Sequence, residues 1–218
     1  MIIDCISDLH GEYPALEGGD LLIVAGDLTA TDSHGNLKDF YDWLRNQQYR
    51  KKVVIGGNHD NYFYACHSYV NPSILPFALA NTHYLCDSGT QFEGLKISGS
   101  PWTRTFPGMN PHCMAFTCDT EEELLEKWKL IPSDVDILVT HSPPFTILDK
   151  TRRGEQVGST SLMGEHITRL RPHLWVFGHI HESYGQESGF LWNEAIYVNA
   201  SHVNEDYDPV NKPIRIIL

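Results

Sequence analysis

Apolar positions in this chain gather into short unbroken runs: Met1 to Ile6, Leu21 to Ala25, Val53 to Ile55, Ile137 to Thr140 and Trp175 to Phe177. Runs of this length, rich in β-branched residues, predict strands buried on both faces. His83 to Cys86, Leu95 to Ser98, Ala195 to Asn199 and Ile214 to Leu218 predict four further strands. Helical spacing appears in three places. Leu37, Phe40, Tyr41 and Leu44 form one stripe within 36–48, and Thr120 with Glu123 makes a capping-box pattern ahead of Leu124, Leu125, Trp128 and Ile131. A third helix is expected from Ser161 to Arg171, stopped by Pro172.

Nine strands with three helices fit two packed sheets with helices outside them better than one doubly wound sheet. Asn71 to Phe77 and Pro101 to Cys118 show no clear period and hold several prolines, and the second is long enough to form a binding loop.

With 218 residues and 41% apolar content, and with no linker-like composition break, the chain is expected to form one domain over 1–218. The longest apolar run is only a strand's length, and the amino terminus enters a strand without a basic leader. The expectation is therefore no membrane span, no secretory signal and a cytoplasmic location. Cys5, Cys66, Cys86, Cys113 and Cys118 have no C-x-x-C spacing and read as buried or free thiols. A formal charge of -12 disfavours a long nucleic acid as partner, because such binding draws on Lys and Arg.

The chemistry sits where the apolar runs stop. Asp8-x-His10, Gly26-Asp27, Gly57-Asn58-His59-Asp60, His141 and Gly178-His179-x-His181 each follow a predicted strand. Singly, each has a mundane explanation in turn chemistry. Together they bring carboxylates, imidazoles and an amide to one edge of an α/β sheet, where ligands bind, and so they read as a two-metal site. Imidazole and carboxylate donors without thiolates suit Mn, Fe, Zn, Ni or Co better than Ca or Mg.

In this order the motifs resemble those of the calcineurin-like metallophosphoesterase superfamily. The resemblance implies a four-layer α/β/β/α sandwich of two mixed sheets flanked by helices. It also implies two divalent transition-metal ions, manganese foremost: Asp8, His10 and His181 would hold one, Asn58, His141 and His179 the other, and Asp27 would bridge them. Two such ions, roughly 3.5 to 4 Å apart, acidify a shared water and clamp a phosphoryl group, so the attacking oxygen is expected to come from that water and not from a side chain. His59 is left over from the ligand count. In the family this position faces the scissile phosphate, which assigns it leaving-group protonation, with Asp60 orienting it or holding its charge.

Phe40 to Leu44, Gly99-Ser100-Pro101-Trp102, His141-Ser142-Pro143-Pro144, Arg171 to Gly185 and Tyr197 to Ser201 are similar to the small MPPED-type branch, known as slow cyclic-nucleotide phosphodiesterases. That similarity implies a phosphodiesterase acting on small phosphodiesters, with 2',3'- or 3',5'-cyclic nucleotides as the expected class. The protein serine/threonine phosphatases carry Arg where Thr31 stands, which weighs against that branch. A phosphomonoesterase or nuclease on the same centre, or a scaffold without catalysis, are the competing readings. Trp102 is kept as a pocket candidate. Phe106, Phe145, Arg104, Arg152 and Arg153 receive no role. The histidines at 34, 67, 83, 112, 166, 173 and 202 are expected in loops or core packing, and Glu182 is expected to face solvent or to be hydrogen-bonded.

Overall fold

The structure, a computed structural model, describes residues 1–30, 33–69, 81–106, 108–189 and 194–218. Thr31 and the stretch from Asn71 to Phe77 lie outside them. The buried runs form strands in two mixed sheets. The first contains β1 (Ile2–Ile6), β2 (Gly19–Ala25), β3 (Tyr49–Ile55) and β4 (Thr82–Tyr84), all parallel, and β13 (Ile214–Ile217) closes its other edge antiparallel to β1. In the second, β6 (Leu95–Ser100), β9 (Ile137–Thr140), β10 (Leu174–Phe177) and β12 (Ile196–Asn199) are parallel. The antiparallel hairpin partners β5 (Ser88–Phe92) and β11 (Gly185–Ser188) form its edges.

Side chains alternate across each strand, and the alternation builds the layers. Ile3, Cys5, Leu21, Ile23, Val53 and Ile55 of the first sheet meet Ile97, Ile137, Val139, Leu174, Val176 and Val198 of the second. The opposite faces take the helices. Leu22, Val24 and Val54 pack under α1 (His34–Asn46) and α2 (Asn61–Tyr69), while Leu138, Trp175 and Tyr197 pack under α3 (Glu121–Trp128) and α4 (Thr160–Thr168). The result is the α/β/β/α order implied by the motif resemblance.

The helix ends follow their caps. The Ser33 hydroxyl accepts from Asn36 N at the start of α1, Thr120 accepts from Glu123 N at α3, and Ser159 accepts from Leu162 N at α4. α4 stops at Thr168, three residues short of the expected Arg171, because Arg169 N and Leu170 N both turn back to Glu165 O and Leu170 is drawn into the core. Pro172 then keeps Arg171 out of helical geometry.

β3 begins four residues earlier than its apolar run. Lys51 and Lys52 lie within it, with the Lys52 ammonium donating to Leu44 O at 2.6 Å and the Lys51 ammonium donating to Thr90 Oγ1 and Gln91 O. The aperiodic Pro101 to Cys118 segment contains two short parallel strands, β7 (Thr103–Arg104) and β8 (Thr117–Cys118). Among the described residues no disulfide forms, and no helix is long and apolar enough to cross a membrane.

Candidate metal centre

Five loops converge at the carboxyl ends of β1, β2, β3, β9 and β10, and they carry the motif residues. Their tight turns put four non-glycine motif residues in the left-handed region: Asp8 at φ 50°, His10 at 43°, Asp27 at 52° and His179 at 70°. Such conformations are costly and persist where the surroundings dictate them. Two glycines permit the crowding. A Cβ on Gly178 would stand 2.0 Å from Asp8 Oδ2, and one on Gly57 would stand 2.3 Å from Asp27 Oδ1.

Asp27 is central. Its Oδ1 accepts from His59 N at 2.9 Å, and its Oδ2 lies 3.4 Å from His141 Nε2, 3.6 Å from His10 Nε2 and 3.9 Å from His59 Nε2. Asp8 accepts from His179 N and from Ser201 Oγ, and stands 3.3 Å from His181 Nε2. Three overlapping groups have ligand atoms close enough to share an ion: Asp8, His10 and His181; His10, Asp27 and His59; and Asp27, His141 and His179. Asn58 joins the third group through His141, with Oδ1 3.1 Å from Nε2. The seven predicted ligands are thus brought together, with His59 beside them.

Hydrogen-bond chemistry tests whether these residues fit cations. His141 Nδ1 is 2.9 Å from Ala25 O, and His181 Nδ1 is 3.1 Å from Asn204 O; a carbonyl only accepts, so each Nδ1 donates. The Nε2 of a neutral His141 then directs a lone pair at two more acceptors, Asn58 Oδ1 and Asp27 Oδ2. A positive charge must lie between them, as a proton or as a metal. Outer partners that fix imidazole tautomers in this way are the usual support of metal-binding histidines. His10 Nε2 is in addition buried without a hydrogen-bond partner among the described residues. The donor set fits divalent transition metals.

The titration behaviour has the same origin. Burial opposes charge on Asp8 and Asp27, but the adjacent imidazoles hold both carboxyls well below their ordinary range. Burial also opposes charge on His141, yet Asp27 and Asp8 push it up to about 9. Burial lowers His10 to about 4, and burial with the neighbouring His141 lowers His179 to about 3.

Asp60 sits behind the centre. Its carboxylate accepts from Gly57 N at 2.8 Å and Leu28 N at 3.0 Å, tying the β2 and β3 loops together, and it makes no hydrogen bond to the His59 ring. Burial and the Asp27 charge raise its pKa well above the ordinary range. The His59 side chain is 21% exposed, against 11% for His181, 4% for His10 and none for His141. Its Nδ1 lies 3.3 Å from Cys113 Sγ.

Two recesses flank the centre. One, of about 990 Å³, is lined by His10, His59, Glu12, His112, Cys113 and Tyr207. The other, of about 690 Å³, runs from His179 and Ser142 past Phe145 to Arg104, Phe106 and Arg153. The Pro101 to Cys118 segment supplies residues to both, as its length led one to expect. Trp102 does not line either recess. Its indole donates to Asp87, its ring lies under Lys127, and it packs on Phe116. His112, expected to be passive, lines the His59 side, and Glu182 accepts from Arg152 N.

Four contributors went unrecognised in the sequence. Ser201 donates to Asp8 and to Asn199 Oδ1, the Asn199 amide donates to Ile180 O, and the Tyr207 ring stands edge-on to His10 and His181. Cys113 is the fourth. A polar Asn199 ending an apolar strand, with Ser201 two residues on, was the available signal for two of them; the length of the Pro101 to Cys118 loop pointed to a binding segment without singling out Cys113, and nothing marked Tyr207.

A sequence profile described as calcineurin-like phosphoesterase matches residues 1–183. Metallophosphoesterase domain-containing protein 1 of Homo sapiens is 37% identical over 98% of this chain and 70% of its own length, and the Mus musculus protein of that name matches equally. A Caenorhabditis elegans UPF0046 protein is 32% identical over 96% of this chain and 58% of its own. One crystal structure superposes with a TM-score of 0.63 at 15% identity, covering 91% of this chain and 89% of that one, which is a likeness of fold.

Proposed function

The chain belongs to the calcineurin-like phosphoesterase family, and from that membership we propose that it is a metal-dependent phosphodiesterase hydrolysing small phosphodiesters, with 2',3'- or 3',5'-cyclic nucleotides as the substrate class. In this reading Asp8, His10 and His181 hold one ion, Asn58, His141 and His179 hold the second, and Asp27 bridges. Manganese is the first choice, with Fe, Zn, Ni and Co as alternatives. Two such ions, when bound, acidify a water and polarise the phosphoryl oxygens.

The protein's own groups do the rest. His59 holds a proton at Nε2, on the open side of the centre, for the departing oxygen. Asp60 fixes the turn that carries His59, and Cys113 braces the ring from its Nδ1 side. Tyr207 covers His10 and His181 and limits water on that flank.

The observation that carries the metal reading is the His141 Nε2 lone pair facing Asn58 Oδ1 and Asp27 Oδ2. The diester reading draws its support from the two recesses, since a diester presents two organic groups on phosphorus and a monoester only one. Bis(p-nitrophenyl) phosphate and p-nitrophenyl phosphate separate the possibilities. After chelation and manganese restoration the diester is hydrolysed at the higher kcat/KM, and turnover of the monoester alone would overturn the assignment. His59→Asn retains both metals by elemental analysis and loses roughly 100-fold or more on esters with poor leaving groups.

A further inference from the structure

The arginines of this acidic chain are almost all engaged. Arg45 lies over the Tyr41 ring, Arg50 pairs with Asp20 and Glu93, Arg152 with Glu205, Arg169 with Glu165, and Arg215 with Asp4 and Glu17. Arg171 donates to main-chain carbonyls of α4. Arg104 and Arg153 have no ion-pair, hydrogen-bond or ring partner among the described residues, and both line the recess that includes His179.

Neither position is accidental in the local structure. In β7, Thr103 is buried and Thr103 N donates to Phe116 O, so strand alternation turns Arg104 outward. Arg153 occupies the tip of a tight turn. There Gly154 N donates to Thr151 O with Gly154 at φ 80°, and Lys150 bridges Gln156 at its base. Two segments distant in sequence therefore deliver unpaired guanidiniums to one cavity. Phe145 and the largely exposed Phe106 stand on the same walls.

Two carboxylates also line this recess. Glu121 is already satisfied: its Oε2 accepts from Ser159 Oγ, Ser161 N and Ser161 Oγ, which caps α4. Glu121 keeps its charge but turns it toward these serines, and Glu155 is the second carboxylate on the walls. Planar guanidiniums recognise phosphate with charge-assisted bonds, and the aromatic walls suit a nucleoside between them and the metal centre.

We propose that the recess beside His179 is an anion subsite in which Arg104 and Arg153 hold a second phosphate carried by the nucleoside side of the diester. The inference rests on the phosphodiesterase reading and narrows its substrates to nucleoside phosphodiesters bearing an additional phosphate.

Two chromogenic esters test it in the full-length, manganese-loaded protein. Thymidine 5'-(p-nitrophenyl phosphate) and its 3'-phosphorylated form share a leaving group and differ by one phosphate. The 3'-phosphorylated ester has a KM lower by about tenfold. In the Arg104→Ala/Arg153→Ala double variant that ratio collapses to about twofold or less, and the double Lys variant keeps part of it. Equal KM values in the wild type, or a ratio that survives the double Ala change, overturn the proposal. If neither ester is hydrolysed, the phosphodiesterase reading fails on its own, and calorimetric binding of thymidine 3',5'-bisphosphate still decides the subsite. Binding weakened about tenfold in the double Ala variant upholds it, and unchanged binding refutes it.

Discussion

The thiol of Cys113 lies 3.3 Å from Nδ1 of His59, on a loop stitched to the His59 turn by Ala115 N donating to Asn58 O. The His59 imidazole is thus braced on its Nδ1 side by sulfur, while Asp60 is occupied by the main chain. Cys113→Ala removes that brace without touching a metal donor. The expected outcome is a kcat lower by roughly tenfold on esters with poor leaving groups, a much smaller loss on p-nitrophenyl esters, and unchanged metal content. Cys113→Ser restores part of the loss. A uniform loss across leaving groups would place Cys113 outside proton transfer.

Asp60 joins two loops through buried main-chain donors, and its truncation strands both. Asp60→Ala is expected to destabilise the metal-free protein by about 3 kcal/mol in urea unfolding, whereas Asp60→Asn keeps an acceptor oxygen and costs less. Equal losses for the two variants would show that the carboxylate's charge, not its acceptor role, matters.

A Cβ at Gly178 would crowd a predicted ligand more closely than one at Gly57 or Gly26. Gly178→Ala puts a methyl group on Asp8 Oδ2, so the variant is expected to bind fewer than two manganese ions per chain by elemental analysis and to lose most activity. Full metal content would mean that the β10 loop yields more easily than its packing indicates.

His166 supplies a pH dependence remote from the metals. Its Nδ1 is 3.1 Å from Leu170 O and must donate there, so Nε2 accepts from the Tyr197 hydroxyl at 2.7 Å. Burial holds its pKa below the ordinary 6.5. The folded state therefore binds fewer protons than the unfolded chain below about pH 6.5, and stability falls as the pH drops from there toward the folded pKa. Above that window the group contributes no slope. Unfolding free energies measured from about pH 7 to pH 5 should fall less steeply in His166→Gln than in the wild type; identical slopes would contradict the assignment.

The legible parts of this fold are those with one physical cause. Central strands are buried on both faces, so Leu21 to Ala25 or Ile137 to Thr140 can be read from composition alone. The edge strands β5 and β11 are largely solvated and polar, and leave no such mark. α2 escaped because Phe63 is its only fully buried anchor among the described side chains, and a helix without a stripe has no period to detect. In β3 the two lysines hid half a strand, since their ammonium groups reach carbonyls that no local pattern reveals. The site divides in the same way. Asp8, His10, Asp27, Asn58, His59, His141, His179 and His181 follow strands directly, and strand ends converge. Cys113, Ser201 and Tyr207 reach the centre through loops whose path depends on tertiary hydrogen bonds, and Trp102, which looked available, is held by Asp87 and Lys127.

The paired-cation account is tested most directly by anomalous diffraction from crystals soaked in manganese. It predicts two peaks: one enclosed by Asp8, His10, His181 and Asp27, the other by Asp27, Asn58, His141 and His179. Absence of density at those positions, with a proton-bridged His141 left against Asn58, would contradict it.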